Sequence, residues 1–339
     1  MKAIVYSEAG GPEVLRVVDR PIPDPGSGEV RVRVQVSGVN PTDWKARRAG
    51  GGRVAYPEYV PNQDGAGVID SVGEAVSAAR IGEPVWLWEA AWLRSDGTAQ
   101  EYVILPQRQA VPLPEGVSAD VGASLGIPAL TAHRCLTVSE GGRRALAAST
   151  LGGQTVLVAG GAGAVGHASI QLARWAGARV IATVSSDEKA VFARAAGADH
   201  VVNYRSGDAA EEIRGIAREG ADVVVEVAPA ANAALDEAVL APGGTVAVYA
   251  TDDGEELELS VGELMDRNAR YQFVLVYTVP DAAKDQAVAD VTAAAEDGAL
   301  PVGEDAGLPL HRFPLEETAQ AHAAVEGGAV GKVLIDVSS

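Results

Sequence analysis

The chain has 339 residues, 47% hydrophobic and 22% charged, which suits a soluble globular protein long enough for two domains with their own cores. A formal net charge of −19 argues against nucleic acid and anionic membrane surfaces as partners, since both require a positive face. The single cysteine, Cys135, excludes an internal disulfide framework and a thiolate zinc cluster.

Taken in order, the chain begins MKAIVYSEAG, a strand pattern without a basic n-region and long apolar core. No run of about 20 apolar residues follows, so a cytoplasmic protein that does not enter the membrane is expected. Residues 1–124 read as mostly β. Val30, Val32, Val34 and Val36 alternate with Arg31, Arg33 and Gln35, the period of a half-buried strand. Many short strands punctuated by Gly and Pro suggest a small barrel. From about Ser124 apolar strands alternate with helical stretches, at Thr155–Ala159, Arg179–Val184, His200–Tyr204, Asp222–Val227, Thr245–Tyr249 and Tyr271–Tyr277. That rhythm predicts a doubly wound parallel sheet over residues 125–279, with Pro242-Gly-Gly244 stopping a helix. Residues 280–339, too few for a separate domain, are assigned back to the barrel.

The first strand of that sheet opens onto a turn that carries chemistry. Gly161, Gly163 and Gly166 form G-x-G-x-x-G between a strand and a helix-like run. Glycine there serves a tight turn, a close backbone approach to pyrophosphate and close packing of helix on strand. Ala164 and Val165 complete the turn, and the helix N-terminus offers N–H groups and a positive dipole end to phosphate. NAD-binding folds place an Asp or Glu about 20 residues past the glycines for the ribose 2′-OH. Here Ser185 and Ser186 stand at that place, followed by Lys189 and, after the next strand, Tyr204. Two hydroxyls, an ammonium and a phenol suit a 2′-phosphate, so NADPH is the expected cofactor. Ser185 and Ser186 are also able to cap the helix that begins at Asp187, whose charge, with that of Glu188, weakens a phosphate site nearby.

Several motifs together carry a resemblance: GVNPTDWK (Gly38–Lys45), the Asp64-Gly-Ala-Gly-Val-Ile run through Gly73, GTAQEYV (Gly97–Val103), the glycine turn VAGGAGAVG and the closing GKVLI. In this order, and over essentially the whole chain, they resemble the zinc-independent, ζ-crystallin-like quinone oxidoreductases of the medium-chain dehydrogenase/reductase superfamily. The resemblance implies a GroES-like catalytic barrel (1–124 and 280–339), a Rossmann NADPH domain (125–279), a cleft for the cofactor, and a homodimer or tetramer. The apolar strand Tyr271–Tyr277 is a costly exposed edge in a monomer, and Val274 is the position where a charge is expected to disturb pairing.

The zinc enzymes of this superfamily bind catalytic metal through a cysteine where this chain has Asn40 and a His-Glu pair where it has Gln63-Asp64. Five scattered histidines form no ligand pattern, and no metal is expected. The implied chemistry is hydride transfer from nicotinamide to an electron-poor small molecule, a quinone or similar conjugated carbonyl, helped by a few hydrogen-bond donors. Asn40, by its place in G-V-N-P, is the first candidate donor, and Tyr59 and Gln63 are secondary catalytic candidates. The alternative role of Asn40 is that of a turn residue satisfying its own backbone. Asn40 and Thr131 are expected near the nicotinamide, and Val227, Ala250, Val276 and Lys332 complete the cofactor-binding candidates. Trp86, Trp88 and Trp92 suit either an aromatic pocket or core packing. Gln63 and Ala99-Gln100 depart from the family pattern and put quinone preference in doubt, leaving reduction of an enoyl or 2-alkenal double bond, or NADPH binding with little turnover, as alternatives.

Overall fold

The computed structural model describes residues 1–51, 55–142, 144–251 and 255–338, and the chain divides into two units, Met1–Ile127 with Leu310–Ser339, and Pro128–Pro309. In chain order the elements are β1 (Lys2–Val5), β2 (Arg16–Asp19), β3 (Glu29–Val39), α1 (Pro41–Arg48), β4 (Asp64–Val72), β5 (Pro84–Leu87), β6 (Tyr102–Pro106), β7 (Ala110–Pro112) and α2 (Ala119–Leu136). There follow β8 (Thr155–Ala159), α3 (Ala164–Trp175), β9 (Arg179–Val184), α4 (Asp187–Ala195), β10 (His200–Asn203), α5 (Ala209–Ile216), β11 (Ala221–Glu226), α6 (Pro229–Val239), β12 (Leu240–Val248), α7 (Val261–Asp266) and β13 (Arg270–Phe273). The last are α8 (Asp281–Glu296), β14 (Leu310–Pro314), α9 (Thr318–Glu326) and β15 (Lys332–Asp336).

The first unit is built on β3. Its valines turn to one face, where Val30, Val32 and Val34 are buried with Ile69, Val85, Leu87, Val103 and Leu105. This strand pairs antiparallel with β4, β6 and β15 at once, within a sheet of order β14-β15-β3-β4-β5-β7. A second core on the other side joins Ile4, Val39, Val60, Leu315, Ala321 and Ile335, so the chain's two ends are locked together by apolar burial. Trp86 and Trp88, 0% and 1% exposed, belong to the interior of this unit.

The second unit is a six-stranded parallel sheet of order β10-β9-β8-β11-β12-β13. Its inner strands are almost uninterrupted apolar runs because helices cover both faces. The order reverses between β8 and β11, which makes the C-terminal ends of those strands the place where such sheets bind ligands.

Three expectations are corrected. Residues 280–309 fall in the second unit rather than the barrel. They are tied there by Gln171 Nε2 donating to Pro301 O at 2.9 Å, Trp175 Nε1 to Asp297 at 2.8 Å, and His133 to Asp290 at 2.7 Å. Pro242-Gly-Gly244 does not end a helix; α6 has stopped at Val239, and the tripeptide lies inside β12 among the extra residues where its register with β11 shifts. The edge strand β13 ends at Phe273, not Tyr277. Its partner β12 ends at Val248, whose carbonyl takes the last ladder bond from Val274 N at 2.7 Å, and Val276–Thr278 then form a 3-10 turn. Val274 is buried, and the exposed edge side chains are Phe273 and Leu275.

Candidate active site

The candidate residues form two clusters, one in each unit. In the second unit, β8 runs into Gly160, which adopts φ +68°, and α3 starts at Ala164 with Gly163 as its N-cap. A Cβ on Gly166 would lie 2.3 Å from Gly160 O, and one on Gly161 would lie 2.8 Å from Ala182 Cβ. These two glycines are therefore needed by the fold of the turn itself. A Cβ on Gly163 meets only Gly160 O at 3.4 Å, which leaves that face of the turn for a ligand. Gly163 has no side chain to cap the helix, so the N–H groups of Ala164 and Val165 are those an anion would take up.

Ser185, Ser186, Lys189, Tyr204, Val227, Ala250 and Val276, all predicted for the cofactor, lie past the strands at the same end of the sheet. Ser185 follows β9, Tyr204 follows β10, Val227 follows β11, Ala250 lies just past β12, and Val276 lies in the turn past β13. Lys189 Nζ donates to Ser185 Oγ at 3.1 Å, placing ammonium and hydroxyl together. Ser186 does the capping, its Oγ accepting from Lys189 N at 3.3 Å, and Asp187 is engaged by Asn203 Nδ2 at 3.0 Å. Tyr204 is 44% exposed. Thr131 is buried in α2, away from the strand ends in sequence.

Sequence reasoning missed a carboxyl pair at the end of β11. Glu226 and Asp236 are buried close enough together to interact, and Glu226 accepts from Asn232 Nδ2 at 2.9 Å and from Ala228 N, while one oxygen of each carboxyl has no other partner. Burial raises both carboxyls and, with the charge of Glu226, pushes Asp236 up to about 9, so the pair retains a proton. The unfolded chain loses that proton near pH 4, about where free carboxylates titrate. The stability it contributes is complete below that pH and is lost as pH rises toward the raised folded value. Asp236→Asn keeps an N–H for Glu226 without titrating. It is expected to raise the melting temperature by about 3–6 °C at pH 8, with the gap closing toward pH 4–5; an unchanged or lower value at pH 8 in a thermal scan would reject the shared proton.

In the first unit, Asn40 sits where β3 passes into α1. Its Nδ2 donates to Asp64 Oδ2 at 2.7 Å and its Oδ1 accepts from Lys332 Nζ at 2.8 Å. Lys332 also reaches Asp64 Oδ2 at 3.3 Å, and Asp64 Oδ1 accepts from Ile127 N at 2.8 Å. Pro128 follows at once in α2 and interrupts the helix ladder there. Asn40 N is held by Asp43 Oδ2 at 2.7 Å, and Asp43 also takes a backbone bond from Gln63. Burial and the neighbouring Asp64 push Asp43 up to about 8. Burial raises Asp64 as well, against the opposing pull of Lys332, Asn40 and Ile127.

Behind Asp64 runs a buried polar chain whose direction is fixed. Thr98 Oγ1 donates to the Asp64 carbonyl at 2.6 Å, and a carbonyl only accepts. Ser37 must therefore donate to Thr98 (2.7 Å), Asn62 Nδ2 to Ser37 (2.9 Å), and His322 Nε2–H to Asn62 Oδ1 (2.9 Å). Burial, with Arg47 nearby, pushes His322 down to about 3, which suits that neutral tautomer. His133, His167 and His322 are each buried and hydrogen-bonded, and among the described residues no group of side chains is arranged to hold a metal ion.

Of the secondary candidates, Gln63 is joined to Asn40 through Asp43, but its Oε1 accepts from Ala91 N at 3.0 Å. Tyr59 Oη accepts from Tyr56 N at 2.8 Å, and its ring stacks on Tyr6 with centroids 5.3 Å apart. The sequence signal for Lys332 and Asp64 as partners was a charge at the start of each of two largely apolar strands, 268 residues apart.

Residues 26–115 match the alcohol dehydrogenase GroES-like domain, and residues 164–293 match the zinc-binding dehydrogenase family. The chain is 32% identical over 341 residues to the quinone oxidoreductase of Lama guanicoe, covering 99% of this chain and 97% of that one. Among solved structures, an NAD-dependent alcohol dehydrogenase superposes with a TM-score of 0.85 at 29% identity over 100% of both chains. A mycobacterial protein complexed with NADPH superposes with a TM-score of 0.80 at 29% identity over 99% of each chain.

Proposed function

The chain belongs to the quinone oxidoreductase family of the medium-chain dehydrogenase/reductase superfamily, and on that premise we propose that it is a zinc-independent, NADPH-dependent reductase of quinones or similar conjugated carbonyl acceptors. Relatives with either nicotinamide cofactor share the fold, so the choice between them rests on the end of β9. There the Lys189–Ser185 pair, with Tyr204 past β10, supports recognition of a 2′-phosphate. The N–H groups of Ala164 and Val165 would hold the pyrophosphate. When bound, NADPH supplies hydride from its nicotinamide ring.

The single observation that carries zinc independence is the Asn40 amide clamped between Asp64 and Lys332. An ammonium already neutralises the buried carboxylate, and a dication beside it would be repelled. A quinone or enone needs no Lewis acid of that strength, because charge delocalises as hydride arrives; one N–H aimed at the oxygen gaining charge then serves. Asn40 is the residue we assign to that role.

The test is steady-state cofactor oxidation with 9,10-phenanthrenequinone and with a 2-alkenal, using NADPH and NADH, before and after prolonged EDTA treatment. Quinone-dependent NADPH oxidation that survives chelation is expected. Faster turnover of the alkenal would shift the acceptor to conjugated double bonds, and binding without turnover would make this an NADPH-binding protein. Lys189→Ala is expected to weaken NADPH selectively by roughly 1–3 kcal/mol, read by fluorescence titration of both cofactors. Equal affinity of the unmodified protein for NADH and NADPH would remove the phosphate site.

We also assign a homodimer formed along β13. Phe273 and Leu275 on this edge, and Val261 and Met265 on α7 just before it, are large apolar side chains exposed by 45–72%. Because Val274 points inward, the informative substitution is Phe273→Asp, expected to convert a dimer to a monomer in sedimentation at micromolar concentration. A monomeric unmodified protein would count against the assignment. Among the described residues no helix is long and apolar enough to cross a membrane.

A further inference from the structure

Lys332 opens β15 with a side chain only 2% exposed, and both of its polar contacts, Asn40 Oδ1 at 2.8 Å and Asp64 Oδ2 at 3.3 Å, lie within its own unit. A carboxamide has two orientations that differ by a half-turn and present opposite chemistry. An ammonium only donates and a carboxylate only accepts, so Oδ1 must face Lys332 and Nδ2 must face Asp64. The reversed amide would set oxygen against carboxylate and NH2 against ammonium, two repulsive contacts in a dry site.

The clamp is itself braced. Asp64 Oδ1 is held by Ile127 N at 2.8 Å and occupies the space that only a glycine leaves open, since a Cβ on Gly126 would lie 2.2 Å from that oxygen. The main chain of Asn40 is fixed by Asp43 at 2.7 Å. An amide nitrogen carries two hydrogens and Asp64 takes one. The ammonium on Oδ1 polarises the amide and strengthens the second as a donor.

Resting on the reductase reading above, we propose that Lys332 is a positioning residue. With Asp64 it locks the Asn40 amide in the orientation that presents N–H to the acceptor oxygen, and its ammonium serves this pair instead of a cofactor phosphate.

The proposal is tested by 15N NMR of the Asn40 side-chain amide in the full-length protein, together with NADPH titration and single-turnover hydride transfer. Asn40 amide protons that are protected from exchange are expected in the unmodified protein; exchange at the rate of a surface carboxamide would overturn the clamp. Lys332→Met should slow single-turnover transfer by about tenfold or more while changing the NADPH dissociation constant by less than about threefold, and Lys332→Arg should restore much of the rate. Added to Asn40→Ala, Lys332→Met should change the rate by less than about twofold, because both act through one amide. A tenfold or greater loss of NADPH affinity, or full multiplication of the two rate effects, would return Lys332 to phosphate binding or to an independent role. If Lys332→Met does not fold, the charge-retaining arginine variant and the exchange rate in the unmodified protein decide the matter. If the unmodified protein reduces no acceptor, the reductase reading fails, while the exchange data still judge the clamp.

Discussion

Gly166→Ala is expected to weaken dinucleotide binding at least about 100-fold, equivalent to ~2.7 kcal/mol, and to lower the melting temperature as well. The added Cβ would sit 2.3 Å from Gly160 O and 3.0 Å from Gly160 C and Gly161 Cα, all backbone atoms with no flexible end to yield. Relief requires α3 to lift off the end of β8, which moves the helix N-terminus from where phosphate would meet it. Gly163→Ala is the control. Its Cβ makes only ordinary contact at 3.4 Å, so the fold should hold while NADPH binding falls. Loss of binding in both variants with loss of stability in only the first separates the packing glycine from the ligand-facing one. Normal NADPH affinity in Gly166→Ala would show that the dinucleotide does not use this turn.

Asn40→Ala is expected to slow single-turnover hydride transfer by tens- to hundreds-fold and leave NADPH affinity nearly intact. A donor whose bond strengthens only as the acceptor oxygen gains charge acts on the transition state alone. One such donor is worth about 2.7–4 kcal/mol in a dry, preorganised site and less where water can replace it. The structure adds a second consequence. Removing the amide takes one partner each from Asp64 and Lys332, both buried, so roughly 1–3 kcal/mol of stability should go with it. Melting temperature and hydride transfer must therefore be measured on the same variant. A lower melting temperature with an unchanged transfer rate would leave Asn40 a structural residue and remove it from the mechanism.

The amino-acid sequence by itself determined the class of each unit and the end of the sheet where the dinucleotide belongs. Those properties follow from local rules: alternation of two in β3, mostly apolar runs in β8, β9 and β11, and glycines at fixed spacing between a strand and a helix. The serines after β9 and Lys189 are also a local pairing, because one turn of helix brings them together. Where local rules ended, the sequence misled. Pro242-Gly-Gly244 carries the signals of a stop and lies within a strand, and the apolar run to Tyr277 continues past the point where β12 has no more backbone to pair with. Only the tertiary structure decided the environment of Asn40. Lys332 and Asp64 stand 268 residues apart in the chain and become partners because β15 and β4 both pair with β3, one on each side. The same holds for Glu226 with Asp236 and for the chain from His322 to Asp64. Burial raises the cost of any unpaired polar group, and which partner meets that cost is a property of packing that no local pattern encodes.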